Sequence, residues 1–442
     1  MNLLTDKIKT LYFHYFVTVL GGSLIPCVYG IVDMAVLGQY YGPDGTAAMT
    51  VVMPIFNIIY GLGLYAGIGG SILYSTHKGK NPNDETGRNE YYTVAFLLAV
   101  FFSAIVLVLC CFFEEPLLYF FGADKELLPL SKQYFLPIKI AAPLFLFTQL
   151  IGAFLRNDNA PELVTKAVLV SGVFNIFGDV FFVFGLDLGM TGAAMATSLG
   201  AGINLVIQLT HFASKSNTIH LVKINDALIK AKQILSTGFS SFFNDFAMGI
   251  VNILFNRQIM AYLGSDALSV FGILMNLNTF VQCCGYSVGQ AAQPIISLNY
   301  GAGKGGRIKE VLKYSVGTSI VFGVMWLALV MAFPNGIIRI FMTPTEEVLS
   351  IAPAIMRKYS FAFLLIPFNV FSVYYFQALM KARTAFLVTL LRGLLLCSLF
   401  VYLLPAVFGA NALWFAMPVT EAITAVYAAV MTVKYTRQLK VK

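Results

Sequence analysis

The chain has 442 residues, of which 58% are hydrophobic and only 11% charged, with a mean hydropathy of +0.78 and a formal net charge of +8. An average soluble protein carries roughly 25% charged residues, so this composition excludes a soluble domain. The apolar runs are about 20 residues or longer and do not alternate polar with apolar, which excludes a β-barrel.

The start, MNLLTDKIKTLYFHYF, lacks the short apolar core and small-residue cleavage site of a secretory signal, so the first apolar run is read as a retained span. Twelve spans follow along the chain, at about 12–38, 47–75, 91–113, 134–156, 163–185, 190–213, 234–263, 267–299, 311–333, 354–381, 385–408 and 411–433, separated by polar or Gly/Pro-rich stretches. If the N-terminus is cytoplasmic, 21 of the 29 Lys and Arg lie on cytoplasmic segments and six on outer ones, while Arg257 and Arg392 lie inside spans. That bias predicts both termini on the cytoplasmic side of a cell membrane, and it accounts for the net positive charge without a nucleic-acid partner.

The polar stretch SKSNTIHLVKINDALIKAKQ, residues 214–233, divides the chain into a six-span bundle over 1–213 and another over 234–442, and is read as a cytoplasmic linker with a short amphipathic helix. The halves read as repeats. YYGPDGTAAM parallels YLGSDALSVF, HKGKN parallels AGKGG, and AFLRNDNAPELVTKAVL parallels ALMKARTAFLVTLLRGL, at offsets of 222–225. Six spans per half give both repeats one topology, related by an axis along the membrane normal, with a central cavity expected between them. The expected fold is therefore an all-α integral membrane protein of twelve transmembrane helices in two six-helix repeats.

Two carboxylates stand inside spans: Asp33 in CVYGIVDMAVLGQYYG and Asp179 in SGVFNIFGDVFFVFG. A translocon scale charges about 2.5–3.5 kcal/mol for an Asp at a helix centre, so intramembrane acids are read first as an ion site or proton relay. Both lie five or six residues from the outer ends of their spans, hence at similar depth at a rise of about 1.5 Å per residue. Asn175 is one helical turn before Asp179, on the same face. Two carboxylates close together do not both ionise cheaply. Such a pair can hold a proton, or bind Na⁺ with Asn and Thr oxygens completing the shell; a structural hydrogen bond between helices is the other reading. With offsets of 222 and 224 the pair maps onto Phe255 and Leu403, so the second half lacks it.

Other intramembrane polar groups leave more than one reading open. Asp245 in span seven can meet a cationic ligand or bond a neighbouring span. Gln282, Tyr286 and Gln290 in span eight, where Gly285, Gly289 and Pro294 also lie, can line a cavity or pack. Phe154 is a candidate to stack on a flat cation. Glu421 and Arg392 are read as an ion pair. The six cysteines all lie in apolar runs without CxxC spacing, so neither disulfide nor zinc is expected. No P-loop or catalytic constellation occurs, so no enzyme activity, no direct ATP drive and no cofactor beyond a coupling ion are expected.

VDMAVLGQYYGPDGTAAMTVVMPI and NIFGDVFFVFGLDLGMTGAAMAT, within two six-span repeats of this length, resemble the MATE (multidrug and toxic compound extrusion) transporters, and the short loops resemble the DinF-type branch of bacteria and archaea. The resemblance covers essentially the whole chain. It implies a monomeric secondary antiporter in the lipid bilayer, exporting amphipathic, often cationic, organic molecules in exchange for H⁺ or Na⁺. It further implies that Asp33, Asn175, Asp179 and Thr197 form the coupling site, and hold the metal ion if that ion is Na⁺. The alternative is a lipid or lipid-linked saccharide flippase of the related two-bundle class.

Overall fold

The computed structural model describes residues 2–341 and 344–439, apart from the side chains of Pro43, Asp245, Phe246 and Met248. Among them, twelve helical segments are long and apolar enough to cross a membrane, and each expected span lies on one of them. The first half holds α1 (Ile8–Tyr41), α2 (Pro43–Lys80), α3 (Glu85–Phe112), α4 (Glu114–Phe120), α5 (Leu128–Asn157), α6 (Pro161–Val180) and α7 (Gly189–Leu209). The second holds α8 (Ala227–Tyr262), α9 (Gly264–Gly301), α10 (Gly305–Ala332), α11 (Pro334–Phe341), α12 (Glu346–Ser360), α13 (Ile366–Ala378), α14 (Ala382–Leu390), α15 (Leu396–Phe408) and α16 (Ala416–Arg437). Two spans contain a π-helical turn: Phe181–Gly185 continues α6, and Leu391–Leu395 joins α14 to α15.

The repeat read from sequence extends to backbone and packing. Short helices α4 and α11, not anticipated from sequence, occupy equivalent places after the third span of each half. Gly42 and Gly264, paired by the repeat, both have positive φ (67° and 81°) at the start of a long helix, Gly42 just before α2 and Gly264 as the first residue of α9. Gly63 and Gly67 of α2 lie against the backbone of Leu146 and Leu150 on α5, where a Cβ would collide. Their repeat counterparts on α9, Gly285 and Gly289, lie in the same way against Pro367, Val370 and Tyr374 on α13. These two span-eight glycines are thus packing residues: without a side chain they let two helices approach closely.

Cα packing divides the chain into two compact units, one of Val17–Phe242 and one of Asn2–Phe16 with Phe243–Lys442. These limits differ from bundle boundaries at 213 and 234, because residues 227–233 are not a separate short helix. No Gly or Pro interrupts the chain between Ala227 and Thr237, so the helix runs on into the span. Residues 214–226 do not hang free of the first unit. Asp158, at the end of α5, accepts from the backbone N–H of Thr218 (2.9 Å), the Thr218 hydroxyl, His211 Nε2 (2.9 Å) and Lys78 Nζ (3.2 Å). Further along, His220 N donates to Asn89 Oδ1 (3.0 Å), Val222 N to Thr93 Oγ1 (3.0 Å) and Asn225 N to Glu90 Oε1 (3.2 Å). Lys230 of α8 closes the strap on Glu90 at 2.5 Å. An extended segment without strand partners thus satisfies its backbone on side chains of α3 and the α5 terminus.

Candidate ion-coupling site

In the first unit α1 and α6 run side by side, in the same direction and in constant register. Thr165 Oγ1 donates to the Thr18 carbonyl at 2.8 Å. Gly172 receives Ile25 and Tyr29, where a Cβ would strike Ile25. Asp179 meets Asp33 as a side-chain hydrogen-bonding neighbour. Small residues bring α7 against α6 as well: Gly178 touches Ala196, and Gly200 lies near Ser171. That approach carries Thr197 to the pair. Its hydroxyl stands 3.4 Å from Asp33 Oδ2 and 3.3 Å from the Ala193 carbonyl, and Asn175 Nδ2 donates to it at 3.2 Å.

The four residues expected at the site are therefore together. Asp33 and Asn175 are each 3% exposed and Asp179 0%. The set is rich in acceptors and poor in donors. Two carboxylate oxygens can bond each other only through a shared proton. Asp33 Oδ1, Asn175 Oδ1 and both oxygens of Asp179 accept no protein N–H or O–H. Buried polar atoms normally find partners, so four converging unsatisfied oxygens fit a proton or a small hard cation. Among the described residues no three His, Cys, Asp or Glu side chains cluster to hold a metal ion. Tyr134 of α5, 2% exposed, and Tyr29 of α1 lie within electrostatic reach of this pair. The i−4 spacing of Tyr29 from Asp33 was a usable signal; nothing in the sequence around Tyr134 marked it.

The second unit has no acidic pair at the repeated positions. Phe255 is 1% exposed and stacks on Phe271 at 5.0 Å. Leu403 is 43% exposed and is not the counterpart of Asp179; an offset of 222 places the buried Val401 there. The expected ion pair is present: Arg392 Nε lies 2.7 Å from Glu421 Oε1, at 1% and 0% side-chain exposure. Asn369 Nδ2 donates to Glu421 Oε2 (2.6 Å), and Arg392 Nη1 donates to Asn244 Oδ1 (3.3 Å). Asn244 Nδ2 in turn donates to the Tyr286 hydroxyl (2.7 Å), which stands 3.4 Å from Gln282 Oε1. Of the cavity candidates, Tyr286 and Gln282 thus join this network, and Gln290 Nε2 stands 3.5 Å from the Tyr374 hydroxyl. Phe154 is fully buried, edge-on to Tyr74 and Tyr92 in the first unit. The side chain of Asp245 lies outside what the structure describes.

Twelve apolar spans in two like repeats, with an unsatisfied carboxylate pair inside one of them, define a transporter-type membrane protein rather than an enzyme. The family model described as MatE matches twice, over residues 19–181 and 241–403, so the repeat seen in sequence and packing recurs in it and the chain belongs to that family, whose members are transporters. The chain is 24% identical over 419 residues to the multidrug export protein MepA of Staphylococcus saprophyticus and 23% identical to that of Staphylococcus aureus, in each case covering 94% of this chain and 91% of the relative. Among solved structures it superposes on an outward-facing multidrug resistance MATE family transporter of the MOP superfamily with a TM-score of 0.91, at 19% identity, covering 100% of this chain and 98% of that one. A MOP superfamily transporter from Pyrococcus furiosus, whose description reports a binding pocket of reversed polarity, matches equally well at 0.91 and 19%, covering 99% and 98%.

Proposed function

We propose that this chain is a secondary active exporter of amphipathic, often cationic, organic molecules, driven by inward movement of H⁺ or Na⁺ through the Asp33–Asp179 site. The observation that carries the reading is the set of unsatisfied acceptor oxygens on Asp33, Asn175 and Asp179 inside the membrane spans. The MepA relatives, named as multidrug export proteins, supply the substrate class. Asp33 and Asp179 hold the ion, Asn175 and Thr197 complete its shell, and α1, unbroken through Pro26, is the element whose packing the ion's presence changes. Loading the site removes or compensates negative charge between α1 and α6. Ion and substrate then favour opposite arrangements, a coupling typically worth about 1–3 kcal/mol. The flippase alternative calls for a cluster of free cations within the spans, whereas only Arg257 and Arg392 stand there and Arg392 is bound to Glu421.

The protein acts in this reading as a single chain in the cell membrane, with both termini cytoplasmic. Dye efflux from proteoliposomes, with pH and Na⁺ gradients imposed separately, tests the function: efflux that neither gradient accelerates contradicts it. Cysteine labelling tests the orientation. Positions 80, 225, 304 and 438 should react from the cytoplasmic side and positions 44, 124 and 345 from outside.

A further inference from the structure

The register of α1 on α6 extends one step beyond the carboxylate pair. Successive contacts join residues 18 and 165, 25 and 172, 33 and 179, and 40 and 187, an offset of 146 or 147 throughout. Steps of about seven residues keep one face of a helix toward its neighbour. At the last step the Tyr40 hydroxyl donates to the carboxylate of Asp187, in the turn that follows the π-helical end of α6. Tyr40 is two helical turns beyond Asp33, about 10.5 Å along the same helix face.

The turn is shaped for this contact. Asp187 holds φ at +56° and Gly189 at +51°, a region that side chains other than Asn and Asp seldom enter. At Gly189 a Cβ would collide with the Tyr41 ring, and the Tyr40 ring packs on Phe184 at 5.7 Å. The second half shows what the turn needs for its backbone alone. The repeat counterpart of Asp187 is Gly409, with φ +86°. The repeat counterpart of Tyr40 is again a tyrosine, and this Tyr262 is 51% exposed. Where the second half has the unstrained residue and an exposed tyrosine, the first half places a carboxylate in a left-handed conformation and bonds the tyrosine to it.

We propose that Tyr40 and Asp187 are positioning residues for ion coupling: they clasp the outer end of α1 to α6 in the register that brings Asp33 against Asp179. The proposal rests on the reading of that pair as the coupling site. Neither residue touches the ion. By fixing α1 at the step above, they raise the ion affinity of the step below, and release of the clasp lowers it.

The test is ion-driven dye efflux by the full chain in proteoliposomes, titrated with H⁺ and with Na⁺ separately, for wild type, Tyr40→Phe, Asp187→Gly, Asp187→Asn and Asp33→Asn. Asp187→Gly keeps the left-handed turn and removes only the carboxylate, so a folding defect is not expected. Asp187→Asn keeps both an acceptor and tolerance of positive φ. The expected result is a half-saturating ion concentration raised about two- to fivefold in Tyr40→Phe and Asp187→Gly, the scale set by losing a hydrogen bond that stands exposed to solvent. The maximal rate should be unchanged and Asp187→Asn close to wild type. An unshifted ion dependence in Tyr40→Phe and Asp187→Gly, while Asp33→Asn abolishes ion drive, overturns the clasp and leaves the coupling site standing. A lowered maximal rate with no shift in ion dependence also overturns it, because that marks a purely structural contact. Ion drive that survives in Asp33→Asn overturns both.

Discussion

The two halves share a backbone plan and differ in what they bury. In both, a left-handed glycine stands at the start of the second helix, and the GxxxG contacts recur at equivalent positions. At the place where the first half buries Asp33, the second buries Phe255 in an aromatic cluster. At the place of Asp179 it buries Val401. Its own buried charges, Arg392 and Glu421, are opposite in sign and bonded to each other and to Asn369 and Asn244. Each half has a π-helical turn beside its charges: Asp179 sits just before one, and Arg392 sits within the other. A fold duplicated in its packing but not in its charges separates scaffold from function. The neutralised pair is satisfied within the bundle, whereas the like-charged pair leaves carboxylate oxygens without a donor.

The largest effect follows from removing that pair. Asp33→Asn and Asp179→Asn should each reduce ion-driven export to background in proteoliposomes while the protein still elutes as a folded species on size exclusion. Normal transport by either variant makes the pair architectural and erases the contrast between the halves.

In the second half the same kind of change should act on stability instead. Arg392→Met or Glu421→Gln alone should cost about 3–5 kcal/mol, because the partner is left buried and unpaired. A double apolar replacement should recover most of it in thermal unfolding, with the ion dependence of transport unmoved. A shift in ion dependence would bring the second half into the coupling machinery.

The strap over residues 214–226 makes a smaller and local prediction. Burial alone would push the Asp158 carboxyl up, but His211, Lys78 and Thr218 hold it below the usual carboxylate range. A group depressed in the folded state stabilises above its unfolded pKa and loses that contribution as pH falls through its folded value. Proteolysis between Ser214 and Asp226 should therefore be slow at neutral pH and quicken in acid. In Asp158→Asn, where the strap loses about 1–3 kcal/mol of charged hydrogen bonding, cleavage should be fast at every pH. The smallest effect is expected at Phe255→Leu, an apolar exchange costing up to about 1.5 kcal/mol, with transport unaltered.

The spans were legible because hydropathy decides them, and Asp33 and Asp179 were legible because a charge in an apolar run has no cheap solvation. Arg392 and Glu421 could be paired from sequence for the same reason. What sequence did not show depends on three-dimensional contact or on short elements. Helices α4 and α11 are seven and eight residues long, too short for a span-length hydropathy window. Phe154 could not be told from a ligand-facing ring among 39 Phe. Nothing in the sequence singled out Asp187, since its left-handed φ and its bond to Tyr40 are visible only once the chain is folded. Placing Leu403 opposite Asp179 came from an offset two positions too long, enough to move from a buried to an exposed helix face.

The contrast between the halves turns on whether ion movement belongs to the first half alone. Substrate efflux and ion influx should be followed together in proteoliposomes holding wild type, Asp179→Asn, or the double variant Arg392→Met with Glu421→Leu. Ion influx should accompany substrate in wild type and in the double variant, and disappear in Asp179→Asn. Influx that persists in Asp179→Asn, or vanishes when only Arg392 and Glu421 are replaced in a folded protein, would contradict it.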